Sequence, residues 1–160
     1  MTSFRRFLML GAALAALLPT TVLPADVSDP LIGTWQLNPA KSKFSPGPGP
    51  KGQLRIYARS GDAEKLTAKG VDAEGKPTLV QYTANYDGKD YAIHGSSGGD
   101  RISLQRVDAF TTVSSQKRAG KAVITTTRVV SSDGKTLKVT SKGTTAQGET
   151  IDTVMVFEKR

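Results

Sequence analysis

From residue 26 onward, apolar and polar residues alternate one by one in short stretches, and the 3.6-residue rhythm of an amphipathic helix is almost absent. Alternation with period two sends successive side chains to opposite faces of an extended segment, so each stretch reads as a β-strand with one face for a core. Ten strands are predicted this way: 32–37, 52–60, 64–71, 78–86, 91–95, 100–107, 110–118, 122–131, 136–142 and 150–158. Between them stand Gly61-Asp62, Glu74-Gly75, Asp87-Gly88, Gly98-Gly99, Asp108-Ala109, Ala119-Gly120, Asp133-Gly134 and Gln147-Gly148, the residue types that tight hairpin turns require. Short turns make consecutive strands pair in order, and a meander of this length avoids exposed edges by curling shut. The predicted fold class is all-β: a single antiparallel up-and-down barrel of about eight to ten strands.

One connection breaks the pattern. Residues 38–51 contain Pro39, Pro46, Pro48 and Pro50 with Gly47 and Gly49, which resist both helix and central strand. They are expected to form an ordered loop, or a flap over the barrel mouth, with Phe44 as the one large apolar anchor. There is also a faint internal echo, in which Leu66, Lys69 and Gly70 return as Val139, Lys142 and Gly143. Recurrent hairpin chemistry and duplication of a half-barrel both account for it.

The first 25 residues change the compartment rather than the fold. Arg5 and Arg6 precede an apolar run over 7–18, and a short segment leads to Ala25, the order of a secretory signal peptide. The run is too short for the roughly 20 residues of a membrane span. The expected organisation is therefore a leader over 1–25 and one β-barrel domain over 26–160, periplasmic or secreted, monomeric, and without stable membrane insertion after cleavage. The chain has no cysteine, which excludes disulfides, thiolate metal sites and thiol catalysis. Its net charge of +8 is spread as lysines interleaved with acids rather than as a basic block, so a soluble sheet surface is expected and no nucleic-acid partner. The nearest nucleic-acid candidate is Tyr57 with Arg55 and Arg59.

Catalytic chemistry finds little footing. His94 is the only histidine, and a lone imidazole makes no multi-histidine metal site. The serines lack a nucleophile elbow, and the carboxylates cluster at turns, where they cap backbone amides. Neither an enzyme nor a cofactor is expected.

Gly33-Thr34-Trp35 resembles the Gly-x-Trp signature of the first strand in calycins, the group containing lipocalins and fatty-acid-binding proteins. The last strand, over 154–159, is similar to the terminal strand of fatty-acid-binding proteins, and Asp90-Tyr91 resembles a mid-chain lipocalin motif. The whole of 26–160 is also similar to small exported lipocalin-like proteins of bacteria that begin Gly-Thr-Trp-x-Leu-Asn-Pro. The resemblance implies a calycin barrel in which Trp35 plugs one end and Gly33 and Trp35 are structural. It does not carry the fatty acid across. The family holds the ligand carboxylate with an arginine and a tyrosine two residues apart on the last strand, and Met155 and Phe157 stand there. The two portal helices of that family also do not fit into 38–51.

With Met155 and Phe157 facing inward by that resemblance, alternation assigns Leu54, Ile56, Val80, Tyr82, Tyr91, Ile93, Ile102, Leu104, Ile124, Leu137, Val139 and Ile151 to the inner face. The candidate ligand-binding residues are Ile56, Tyr82, Tyr91, Ile102, Leu104, Arg106, Arg128, Met155 and Phe157. Arg106 and Arg128 either orient an anionic or carbonyl group inside, or serve structure: Arg106 at a strand end in water, Arg128 stacked over Trp35. The expected function is an exported binding module holding a small, largely apolar molecule. The alternative is a solid-cored envelope interaction or inhibitor protein acting through its loops and basic surface.

Overall fold

The computed structural model describes residues 28–160; the expected leader over 1–25 and its cleavage point lie outside the described residues. The strands are β1 Gly33–Leu37, β2 Gly52–Ser60, β3 Ala63–Val71, β4 Pro77–Ala84, β5 Tyr91–His94, β6 Arg101–Arg106, β7 Thr111–Arg118, β8 Lys121–Val130, β9 Thr136–Thr144 and β10 Thr150–Lys159. Each runs antiparallel to the next, and β1 pairs with both β2 and β10, so the sheet closes into a barrel. The expected all-β meander is the observed architecture, with strand ends moved by a residue or two.

The closing seam is short. β1 reaches only the end of β10, through Trp35 opposite Lys159, Gln36 opposite Glu158 and Leu37 opposite Phe157. The remaining edge of β10 would carry unpaired backbone groups, and the proline-rich loop covers it. Asn38 donates its N–H to Val156 O at 2.8 Å, Lys43 and Val154 exchange both backbone bonds at 2.7 Å, and Asp152 donates to Ser45 O at 3.0 Å. Residues 38–45 are thus part of the wall, with one 3-10 turn over Pro39–Lys41 and Phe44 packed against the core. On β8, Val123 forms a bulge, and its carbonyl swings toward Gly143 of β9, where a Cβ would lie 2.0 Å from the oxygen. Gly70, the partner of Gly143 in the internal echo, has Gly52 O 2.7 Å from its own Cβ position.

Inside, Trp35, Leu104, Leu137, Val139 and Phe157 are completely buried and form the packed centre of the core with Leu31 and Leu37. The Trp35 indole donates from Nε1 to Leu31 O at 2.8 Å, which satisfies its one polar atom. Gly33, at φ 137°, leaves room for Lys159: a Cβ there would approach Lys159 Cε to 2.9 Å. That side chain places its ammonium 5.0 Å from the Trp35 ring centroid. Of the two readings of Arg128, the one that stacks it over Trp35 does not hold: Lys159 lies there, because it is directly opposite Trp35 across the seam, and Arg128 lies over Tyr57.

The second correction concerns the phase of β2. Arg55 pairs with Trp35 and Tyr57 with Gly33, so these two face inward, and Leu54 and Ile56 face outward. On the outside Ile56 lies between Thr34 and Thr67, and Leu54 between Gln36 and Lys69. Tyr57 is 1% exposed, so its ring offers no surface for stacking a base.

Candidate functional site

Beyond the packed centre, toward the turn joining β5 to β6, the barrel holds a cavity of about 220 Å³. Its walls differ in character. From β3, β4 and β5 come Leu66, Ala68, Val80 and Ile93; from β7, β8 and β9 come Ser114, Gln116, Thr126 and Ser141. The hydroxyls of Thr126 and Ser141 bond each other at 2.9 Å, and Ser96 donates to Gln116 Oε1 at 2.7 Å, so this wall is polar and ordered. Small side chains at 114, 126 and 141 are what leaves the volume open.

Tyr57, Tyr82 and Arg128 line the cavity as well, and behind them sits Glu64. Arg128 and Glu64 are 3% and 2% exposed, and Arg128 donates from Nη1 to Glu64 Oε1 at 2.7 Å and to the Tyr82 oxygen at 2.8 Å. Tyr82 donates to Glu64 Oε1 at 2.5 Å, and Tyr86 donates to Glu64 Oε2. Burial pushes the Glu64 carboxyl up, but the Arg128 charge and the two phenol donors outweigh it and hold the pKa below the usual glutamate value. Tyr82 and Tyr86 are driven the other way by burial and by the carboxylate beside them, so both stay neutral donors. Arg128, despite its burial, is kept charged by the groups around it.

This network is also a partition. Glu64 and Tyr86 line a second, more open hollow of about 330 Å³ at the opposite end, with Arg59 and Arg106 on its rim. Arg106 is tied there, ion-paired with Asp29 and lying 4.3 Å over the Tyr86 ring.

Of the candidate residues, Tyr82, Ile102, Arg128 and Met155 meet at the cavity. Leu104 and Phe157 face inward but belong to the packed centre, completely buried. Tyr91 stands aside, donating its hydroxyl to Asp87 at 2.8 Å and accepting from Asn85 at 3.1 Å. Arg106 serves the opposite end, and Ile56 is outside the barrel. Arg55 and Tyr57 were missed: an arginine and a tyrosine two residues apart, inward on β2 instead of β10. Arg55 lies 4.7 Å over the Phe157 ring with Nη2 3.9 Å from the Met155 sulfur, against the two residues that fill the expected clamp positions. Their inward phase follows from the register with Trp35 across β1, which the alternation within β2 does not reveal. Glu64 was missed too, although it shares the inward phase of Leu66 and Ala68 on β3.

No protein-family model matches the chain, and no curated protein matches it. Among solved structures it is similar to the zebrafish ileal bile acid-binding protein complexed with cholic acid, with a TM-score of 0.52 over 82% of this chain and 99% of that one. This chain has a calycin-like fold. At 14% identity the likeness is one of fold, so the chemistry of this calycin-like barrel is read from its own residues. In place of the portal helices of fatty-acid-binding proteins, which were not expected to fit into 38–51, it has the strand-like loop over 38–45 and one 3-10 turn.

Proposed function

We propose that this protein is an exported, periplasmic or secreted binding module that holds one small, largely apolar molecule in the cavity between β2, β4, β7 and β8, and that it is not an enzyme. The observation that carries the reading is the cavity with one aliphatic and one hydroxyl-bearing wall, the make-up of a site that orients a small amphipathic molecule. Its volume of about 220 Å³ lies below the usual range for drug-sized ligands, which start near 300 Å³, so the guest is small or the walls give. The similar barrel from zebrafish was solved complexed with cholic acid, which supports a ligand-holding use of this architecture.

Native mass spectrometry of the protein purified from its own compartment is expected to show a bound small molecule that leaves on denaturation. Repeatedly empty spectra, together with no uptake of an apolar dye, would overturn the reading. The alternative, an interaction or inhibitor protein, draws on Val107 and Phe110, 63% and 42% exposed around the β6–β7 turn. It would be favoured if polar substitutions at both abolished capture of a defined partner while dye uptake stayed absent.

A further inference from the structure

We infer that Met155 is an oxidation site of this protein, and that Arg55 receives the oxygen of its sulfoxide. Met155 carries the only sulfur among the described residues, since the chain has no cysteine and its other methionines are Met1 and Met9. Its side chain is half-buried on β10 and lines the cavity, where a molecule as small as a peroxide can reach it. Arg55 is what singles it out. The three guanidinium nitrogens are set against three neutral groups: Nε donates to Gln53 Oε1 at 2.8 Å, Nη1 meets the Tyr57 hydroxyl at 3.5 Å, and Nη2 lies 3.9 Å from the Met155 sulfur. Among the described residues Arg55 has no acidic partner within ion-pair distance. A thioether is among the weakest acceptors a side chain offers, so a charged donor here faces a poor partner. A sulfoxide oxygen removes the mismatch, because it is polar and sits near the end of a side chain with three rotatable bonds.

The step is a two-electron oxidation by a peroxide. The Arg55 contact engages one of the two sulfur lone pairs, and the other attacks a peroxide oxygen, so that an S–O bond forms as the O–O bond breaks. Sulfur is oxidised and the peroxide is reduced; the hydroxide released takes the proton of the transferred oxygen and leaves as water. In an ordinary core the polar product lacks a partner and disrupts packing. Here rotation of the thioether end brings the new oxygen to Nη2 and replaces a weak contact with a charge-assisted hydrogen bond. The cavity wall then carries a polar group where it had an apolar one, so oxidation lowers its affinity for an apolar guest.

The test treats the protein with hydrogen peroxide at neutral pH, folded and in urea, and follows the peptide carrying Met155 by mass. Oxidation of the folded protein is expected at a rate within about tenfold of that in urea, since susceptibility follows exposure. A Met155 that reacts only after unfolding would overturn the inference. The part played by Arg55 is read from urea denaturation of the wild type and Arg55→Leu, each before and after oxidation. Oxidation should raise the unfolding equilibrium constant of Arg55→Leu about tenfold to a hundredfold more than that of the wild type, the range for a hydrogen bond to a charged group. Equal rises in the two would exclude Arg55 as the partner. If Arg55→Leu does not fold, the wild type decides alone: a rise below about tenfold is expected, and a larger one would mark a polar group left without a partner. Met155→Leu should show no change in its denaturation on treatment with peroxide. Apolar-dye uptake by the wild type, which rests on the ligand-binding reading, should fall on oxidation; undiminished uptake would contradict the effect on the cavity. An untreated protein that takes up no dye would count against the ligand-binding reading alone, with the oxidation site decided by the mass and denaturation measurements.

Discussion

Around Trp35 the barrel interior is filled, whereas a few residues further along the same strands it is hollow, and β9 and β10 show how the change is made. On β9 the inward residues run Leu137, Val139, Ser141, Gly143; the first two are completely buried, and the latter two surrender side-chain volume. On β10 the inward sequence from the plugged end is Phe157, Met155, Thr153, Ile151, and only Phe157 is completely buried. A barrel of this strand number is near the size at which side chains either just fill it or leave room for one ligand. This chain does both, one in each part, with a buried polar layer of Glu64, Tyr82 and Arg128 between two hollows.

The packed part should be where substitutions cost most. Trp35→Ala and Phe157→Ala should each lose about 3–5 kcal/mol in chemical denaturation, because neither site can collapse around the gap. Met155→Ala, one inward step from Phe157 but facing the cavity, should lose less than the roughly 2–5 kcal/mol of a packed methionine. Equal losses at 155 and 157 would erase the distinction. The polar layer should behave differently from both. Arg128→Met, which leaves Glu64 buried and alone, should cost about 3–5 kcal/mol, and adding Glu64→Gln should recover much of that loss.

Acidity sharpens the same contrast. Glu64 has a lowered pKa in the folded protein, so its contribution is fully present above the ordinary glutamate value of about 4.3 and is lost as pH falls through the lower folded value. Stability measured down this range should drop less in the Glu64→Gln/Arg128→Met pair than in the wild type. Tyr82 and Tyr86 have raised values, so stability should decline again as pH climbs past the ordinary tyrosine value of about 10.

Strand positions were legible because period-two alternation and turn chemistry are local properties, and the ten strands follow from them. The phase of β2 was not, because Leu54 and Ile56 make a convincing core face on their own. What decides it is the register of β2 on β1, set across the long loop over 38–51, which pairs Arg55 with Trp35 and buries Tyr57. The Glu64–Arg128 pair joins strands on opposite walls, far apart in the chain, so no spacing rule reveals it. The cavity was equally hidden, since it depends on volumes summed over strands that meet only when the barrel shuts. Trp35 was legible as the plug, while its covering cation, Lys159, became visible only through the register of the seam.

Two alanines offer the most direct test of a barrel filled in one part and open in the other. Ala84, completely buried and away from the cavity lining, and Ala68, 4% exposed and on the cavity wall, can each be changed to leucine and the variants compared by urea denaturation. Ala84→Leu should lose about 1–3 kcal/mol to overpacking, while Ala68→Leu should stay within about 1 kcal/mol of the wild type and take up less apolar dye. Equal destabilisation of the two variants, or a fully stable Ala68→Leu protein with undiminished dye uptake, would contradict the account.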